Sequence, residues 1–170
     1  MRAGLTRCVV YMAAWGLLCF PLGRLFKRLG LDWERPPFRE WSWEDGGRVY
    51  ERVGIRAWKD LAPDVSKLVP FIVPKKAMSG RPTPAVLRDM LRETCVAELT
   101  HYMLIVAGLG LMPLWPGIGG VALYLFYAIV GNLAFVMIQR YNRPRFRRML
   151  AAAEAWERRH ADAGTDPIEQ

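Results

Sequence analysis

The sequence predicts an all-α integral membrane protein, and three observations lead there. Apolar residues make up 52% of the 170-residue chain and gather in blocks, while the 24% that are charged gather between the blocks and in the tail. Two of the blocks, Tyr102 to Leu114 and Val121 to Ile138, are separated only by the uncharged stretch Trp115-Pro116-Gly117-Ile118-Gly119-Gly120. Backbone polar groups in hydrocarbon must bond within their own segment, so paired apolar runs of this kind read as a transmembrane helical hairpin. The net charge of +8 comes from Lys and Arg beside the apolar runs. That is the pattern of a membrane face opposed to anionic lipid, not of a nucleic-acid footprint.

The elements follow in order. Residues 1–24 are an N-terminal hydrophobic anchor. Its apolar core, Cys8 to Leu22 between Arg7 and Arg24, is shorter than the roughly 20 residues of a spanning helix. A cleaved signal peptide is the rival reading, but Phe20-Pro21-Leu22-Gly23-Arg24 makes a poor cleavage site. Two of the three cysteines, Cys8 and Cys19, lie in this run and the third is Cys95, which argues against a disulfide framework. Residues 25–92 form an interfacial polar middle region facing the cytoplasm. Pro36-Pro37 interrupts it, and Trp33, Phe38, Trp41, Trp43, Tyr50 and Trp58 crowd its first half. Those aromatics suit either a bilayer interface or a small core. The stretch Leu68 to Val73, within Lys67 to Pro74, is too short to span and reads as interfacial, re-entrant or a core strand. Thr83 is placed to cap a helix that has Pro84 at its first position.

Residues 93–139 are the hairpin with its polar feet, and 140–170 a basic amphipathic tail. From Arg145 to His160 the residues Phe146, Met149, Leu150, Ala153 and Trp156 fall on one stripe, so this helix is expected on the membrane surface. The chain is expected to turn at Arg143, because Pro144 disfavours helix at the residue before it. Positive-inside counting puts both feet of the hairpin in the cytoplasm, since 115–120 is uncharged and both flanks are rich in Lys and Arg.

Each foot carries a polar cluster. The first is Glu93-Thr94-Cys95-Val96-Ala97-Glu98-Leu99-Thr100-His101. At about 100° per residue, His101 projects between Glu93 and Glu98 on one helix face. Both carboxylates are therefore expected to orient His101, making it a general base for a hydroxyl proton. The plain alternative is an ion cluster that anchors a helix end. A Glu-x-x-His pair also serves as metal ligands in helical bundles, but there it comes in two copies, and with one copy here no metal is expected. The second cluster is Gln139-Arg140-Tyr141-Asn142-Arg143-Pro144-Arg145-Phe146. Its arginines either snorkel to lipid headgroups or aim donors into a pocket. Asn132 shares a helix face with Gln139, and an amide at that depth needs a partner across the helix pair.

The block Glu93-Thr94, Ala97-Glu98-Leu99, His101, followed past a hydrophobic hairpin by Gln139-Arg140-Tyr141-Asn142-Arg143-Pro144-Arg145, resembles the glycosyl-4,4'-diaponeurosporenoate acyltransferase family. Arg56-x-Trp58-Lys59, with Asp64 a few residues on, is similar to a further segment of that family. The resemblance spans roughly 45–150, and Tyr102 stands where the family commonly has tryptophan. It implies a multi-pass enzyme of the bacterial cell membrane that esterifies a hydroxyl of a glycosylated carotenoid, terpenoid or similar lipid-linked acceptor with a fatty acyl chain. On that reading the co-substrate is an activated acyl donor, acyl-coenzyme A or acyl carrier protein, and no cofactor is bound. His101, Glu98 and Glu93 are then the candidate catalytic residues. Arg140, Asn142, Arg143, Arg145, Gln139, Asn132, Arg56, Trp58, Lys59 and Asp64 are the candidate substrate-binding residues. The partners expected are the acceptor, the donor and anionic membrane lipids. The other classes are a membrane hydrolase or metal enzyme built on Glu93, Glu98 and His101, and a non-enzymatic assembly subunit docking through the hairpin.

Overall fold

The computed structural model describes residues 2–59 and 82–162, and these are mainly helical, with no strand among the described residues. The elements are α1 (Arg2–Arg28), a 3₁₀ segment (Ser42–Gly47), α2 (Arg48–Arg52), α3 (Ile55–Trp58), α4 (Pro84–Gly108), α5 (Leu111–Leu114), α6 (Ile118–Ala128), a π-helical turn (Ile129–Leu133) and α7 (Ala134–Asp162). Among the described residues three helical stretches are long and apolar enough to cross a membrane: Arg2–Arg28, Pro84–Leu114 and Ile118–Ala161. The first is 27 residues long because the helix extends past the apolar core into its flanking arginines on both sides. The expected stretch at Leu68 to Val73 lies outside the described residues.

The chain divides into two compact units. The first comprises Met1–Arg39 and Arg92–Arg140. Within it α1 runs antiparallel to α4 and the hairpin tip. Gly4 faces Trp115, Cys8 Sγ lies 3.7 Å from Leu111 O, the Tyr11 hydroxyl donates to Ala107 O at 2.8 Å, and Lys27 Nζ meets Glu93 Oε1 at 3.2 Å. Residue numbers thus fall on one side as they rise on the other, as two antiparallel helices side by side require. Cys8, Leu104, Leu111, Ala128 and Val136 are buried in this unit, and all three cysteines are free. The tip is tight: a Cβ on Gly120 would run into the Trp115 carbonyl oxygen, a clash with backbone that no side-chain movement could relieve. The outward faces of α1, α6 and the π-helical turn leave Val9, Val10, Leu17, Phe126 and Val130 exposed, the surface expected where lipid is the solvent.

The second unit comprises Glu40–Leu91 and Tyr141–Gln170. Tyr50, Ile55, Leu87, Leu91 and Ala153 are buried in it. Of the crowded aromatics, Tyr50 is buried in this unit while Trp41 and Trp43 are exposed, and Phe38 is buried in the first unit. Glu44 is buried too; it accepts from the Tyr50 hydroxyl and, at 2.6 Å, from the Trp41 backbone N–H. Arg88 and Glu154 pair at 2.5 Å. The backbone at Asp45, Gly46 and Gly47 has positive φ (51°, 66° and 87°), and a Cβ on Gly47 would approach Tyr141 O to 3.2 Å. Glycine at 47 therefore serves both the left-handed turn and its close seat on α7.

Two expectations at the helix ends meet different outcomes. Thr83 caps α4, with the Val86 N–H 3.4 Å from Thr83 Oγ1 and Pro84 first in the helix. The turn expected at Arg143 does not occur. Pro144 sits inside α7, which runs unbroken from Ala134 to Asp162. Proline inside a helix removes one donor and restricts the residue before it, but those are preferences that a long helix can override. The basic stripe at 145–160 is consequently continuous in one helix with the residues from Ala134 onward.

Candidate functional site

In the first unit the polar residues pair differently from the sequence expectation. His101 Nδ1 lies 3.0 Å from Asn132 Oδ1, and the imidazole stacks on Phe135 with ring centroids 4.8 Å apart. Neither Glu93 nor Glu98 orients it. Asn132 is held in turn, for its Nδ2 donates to Tyr127 O at 2.9 Å. That bond identifies the Asn132 oxygen as the acceptor, so His101 must donate through Nδ1–H. The neutral imidazole then carries its lone pair on Nε2. Asn132, only 1% exposed, sits in the π-helical turn at Ile129–Leu133. Such turns widen the helix by one residue and recur at functional sites.

Glu98 looks elsewhere. Its side chain is fully buried and its Oε1 accepts from Arg140 Nη1 at 2.5 Å and from the Tyr102 hydroxyl at 3.0 Å. Arg140, 7% exposed, also donates to Pro37 O at 3.1 Å and to Arg39 O at 3.2 Å. One guanidinium therefore ties α4, α7 and the 37–39 loop of this unit together. A buried carboxylate needs that pairing, because an uncompensated buried charge is strongly destabilising. Glu93 is half-exposed against Lys27 at the end of α1. Both members of the Glu98–Arg140 pair stand in the two sequence clusters, but helix geometry on one segment cannot say which of two partners a carboxylate takes. Gln139 is half-buried on α7.

The second unit holds the other candidates. Glu51 Oε1 accepts from Arg56 Nη2 at 2.7 Å and Arg145 Nη2 at 3.0 Å, with the Tyr141 hydroxyl at 3.5 Å. Arg56 Nε donates to the Tyr141 hydroxyl at 3.3 Å, and the Arg145 guanidinium lies over the Tyr141 ring, 3.5 Å from its centroid. The hydrogen bond from Arg56 leads in holding the Glu51 carboxyl below the usual carboxylate range, and the bond to Tyr141 leads in raising Arg56 above its own. Sequence reasoning picks out Arg56 and Arg145 but misses Glu51 and the role of Tyr141. The spacing of Tyr141 and Arg145, one helical turn, reveals the stacked pair only if α7 is continuous through Pro144. Trp58 Nε1 donates to Val53 O at 3.0 Å and so closes its own short segment. Arg143 is buried, Asn142 and Lys59 are half-buried, and Asp64 lies outside the described residues. No group of three His, Cys, Asp or Glu side chains placed to hold a metal occurs among the described residues.

Known proteins of one name are similar to this chain. It is 29% identical over 113 residues to a glycosyl-4,4'-diaponeurosporenoate acyltransferase of Staphylococcus haemolyticus (strain JCSC1435), a stretch covering 64% of this chain and 62% of that relative, less than two thirds of the relative's length. It is 27% identical over 128 residues to the protein of the same name from Staphylococcus aureus (strain USA300), covering 72% of this chain and 73% of the relative. No solved structure matches it significantly. The model of one family matches residues 34–152, which contain the His101–Asn132 and Glu98–Arg140 pairs and the Glu51 cluster, and the chain belongs to that family, the glycosyl-4,4'-diaponeurosporenoate acyltransferases.

Proposed function

We propose that this protein is an integral membrane acyltransferase that esterifies a hydroxyl of a glycosylated carotenoid, or a similar lipid-linked acceptor, with a fatty acyl chain. The observation that carries the reading is the His101–Asn132 pair in a chain of this family, because Asn132 leaves Nε2 as the basic nitrogen. His101 Nε2 takes the proton of the acceptor hydroxyl as its oxygen attacks the carbonyl carbon of the acyl donor, a thioester of coenzyme A or acyl carrier protein. The tetrahedral oxyanion collapses, the carbon–sulfur bond breaks, and the departing thiolate recovers the proton from His101. The Arg140 donors are committed to Glu98, Pro37 and Arg39, so Arg140 is a positioning residue here. Gln139, in the same unit as His101, supplies a donor for the oxyanion. In the second unit the cationic side chains of Arg56, Arg145 and Lys59 take the anionic parts of the substrates.

The test is chemical. Lipid extracts of a strain lacking this protein, compared with wild type by mass spectrometry, should lose an acylated glycolipid and gain the same molecule lighter by one fatty acyl group. Identical extracts from the two strains would refute the reading.

The same proposal includes a topology: both feet of the hairpin in the cytoplasm of a bacterial cell membrane, with the basic flanks against anionic lipid. The antiparallel run of α1 beside α4 supports it, since Lys27 and Glu93 then share one end. A reporter fused after Gln170 should score as cytoplasmic and a tag inserted at Gly117 as external. A tail scored outside would overturn the arrangement.

A further inference from the structure

We infer that a cleft in the second unit seats the phosphates of a nucleotide-linked acyl donor, a coenzyme A thioester; the inference rests on the acyl-transfer reading above. Four guanidinium groups, those of Arg48, Arg56, Arg145 and Arg148, face two carboxylates, Asp45 and Glu51, around a space of about 470 Å³. That is larger than one phosphate requires and falls within the roughly 300–1,000 Å³ of small-molecule sites. No apolar side chain lines it among the described residues. A phospholipid headgroup site continues into a groove for acyl chains, and this polar lining offers none, which favours a soluble, multiply charged headgroup.

The arginines are arranged to exchange partners. Arg48 pairs with Asp45 at 2.7 Å and Arg56 with Glu51 at 2.7 Å, in both cases through guanidinium groups that are mostly exposed. Exposed pairs of this kind are held weakly against water, so a phosphate can take over their donors at small cost. Arg148 makes no ion pair among the described residues, and its Nη1 lies 3.8 Å from where a Cβ on Gly46 would stand. That separation is ordinary van der Waals contact, so the guanidinium rests against the left-handed turn. Asp45 holds φ 51° in the same turn, an unfavourable conformation for a residue with a Cβ and one that concentrates at functional sites. Guanidinium forks bind phosphate bidentately, with charge-assisted bonds. Coenzyme A brings a 3′-phosphate and a diphosphate, enough acceptors to engage several of the four forks at once.

Binding of free coenzyme A to the purified full-length protein in detergent, followed by calorimetry, tests this directly. Wild type should bind coenzyme A, and dephospho-coenzyme A more weakly. Arg48→Gln and Arg148→Gln, both at exposed side chains, should each weaken coenzyme A about tenfold, whereas Arg158→Gln, on an exposed arginine that does not line the cleft, should not. Phosphatidylglycerol nanodiscs should not displace the ligand. Failure of wild type to bind coenzyme A, affinity unchanged in both cleft variants, or displacement by the anionic lipid would each overturn the inference. Acyl transfer from acyl carrier protein without coenzyme A binding would sink it while leaving the acyltransferase reading intact. Arginine-dependent coenzyme A binding in a strain whose lipids do not change on deletion would do the reverse.

Discussion

His101→Ala is expected to lower acyl transfer by roughly 100- to 10,000-fold, the usual cost of losing a general base, with unacylated acceptor accumulating in the membrane. His101→Gln is expected to fall nearly as far. Glutamine can place an N–H near Asn132 Oδ1 and can fill space beside Phe135, the two contacts the imidazole makes. It cannot take and return a proton. A packing role would therefore be rescued by glutamine and a basic role would not. Product formed per unit of folded protein, compared across wild type and the two variants, separates them. Near-normal product from the glutamine variant would leave His101 as a packing residue and remove the proposed base.

The second large effect falls on stability. Arg140→Met is expected to destabilise the protein by about 3–5 kcal/mol, because it leaves the fully buried Glu98 carboxylate with an uncompensated charge. It also frees the Pro37 and Arg39 carbonyls that Arg140 holds. Glu98→Gln should be costly for the mirror-image reason. The double variant Glu98→Gln/Arg140→Met should be more stable than Arg140→Met alone, since it buries no net charge and the glutamine oxygen can still accept from Tyr102. Thermal unfolding of the purified proteins in one detergent gives all four corners of the cycle. Strictly additive effects would show that the pair is not the clamp the geometry describes. These variants also separate scaffold from chemistry: activity per folded molecule should drop far less in the double variant than in His101→Gln.

The relation between sequence and structure is clearest at particular residues. The cap at Thr83, the uncharged tip at 115–120 and the two polar feet are legible in the chain because each depends on neighbours in sequence. Pro144 misleads, because its local preference for a turn yields to a long helix. The Glu93, Glu98 and His101 face is one polar stripe in sequence, yet its three members take three different partners: Lys27, Arg140 and Asn132. Glu51 and the Asp45–Gly47 turn carry no motif, and only folding brings them against Tyr141, Arg145 and Arg148.

Hydropathy blocks, charge asymmetry and the spaced polar blocks are properties of the chain read in order, and they alone determined an all-helical protein with hydrophobic spans and the family resemblance. Which donor meets which acceptor is a property of how far each helix is rotated about its axis against its neighbour. Each residue added to a helix turns all later residues by about 100°, so the π-helical turn at Ile129–Leu133 resets the face on which the rest of that arm appears. The tertiary structure therefore decided that Asn132, and not a glutamate, sets the imidazole's proton, and that Arg140 closes on Glu98, because those choices depend on packing between segments that the sequence does not place side by side.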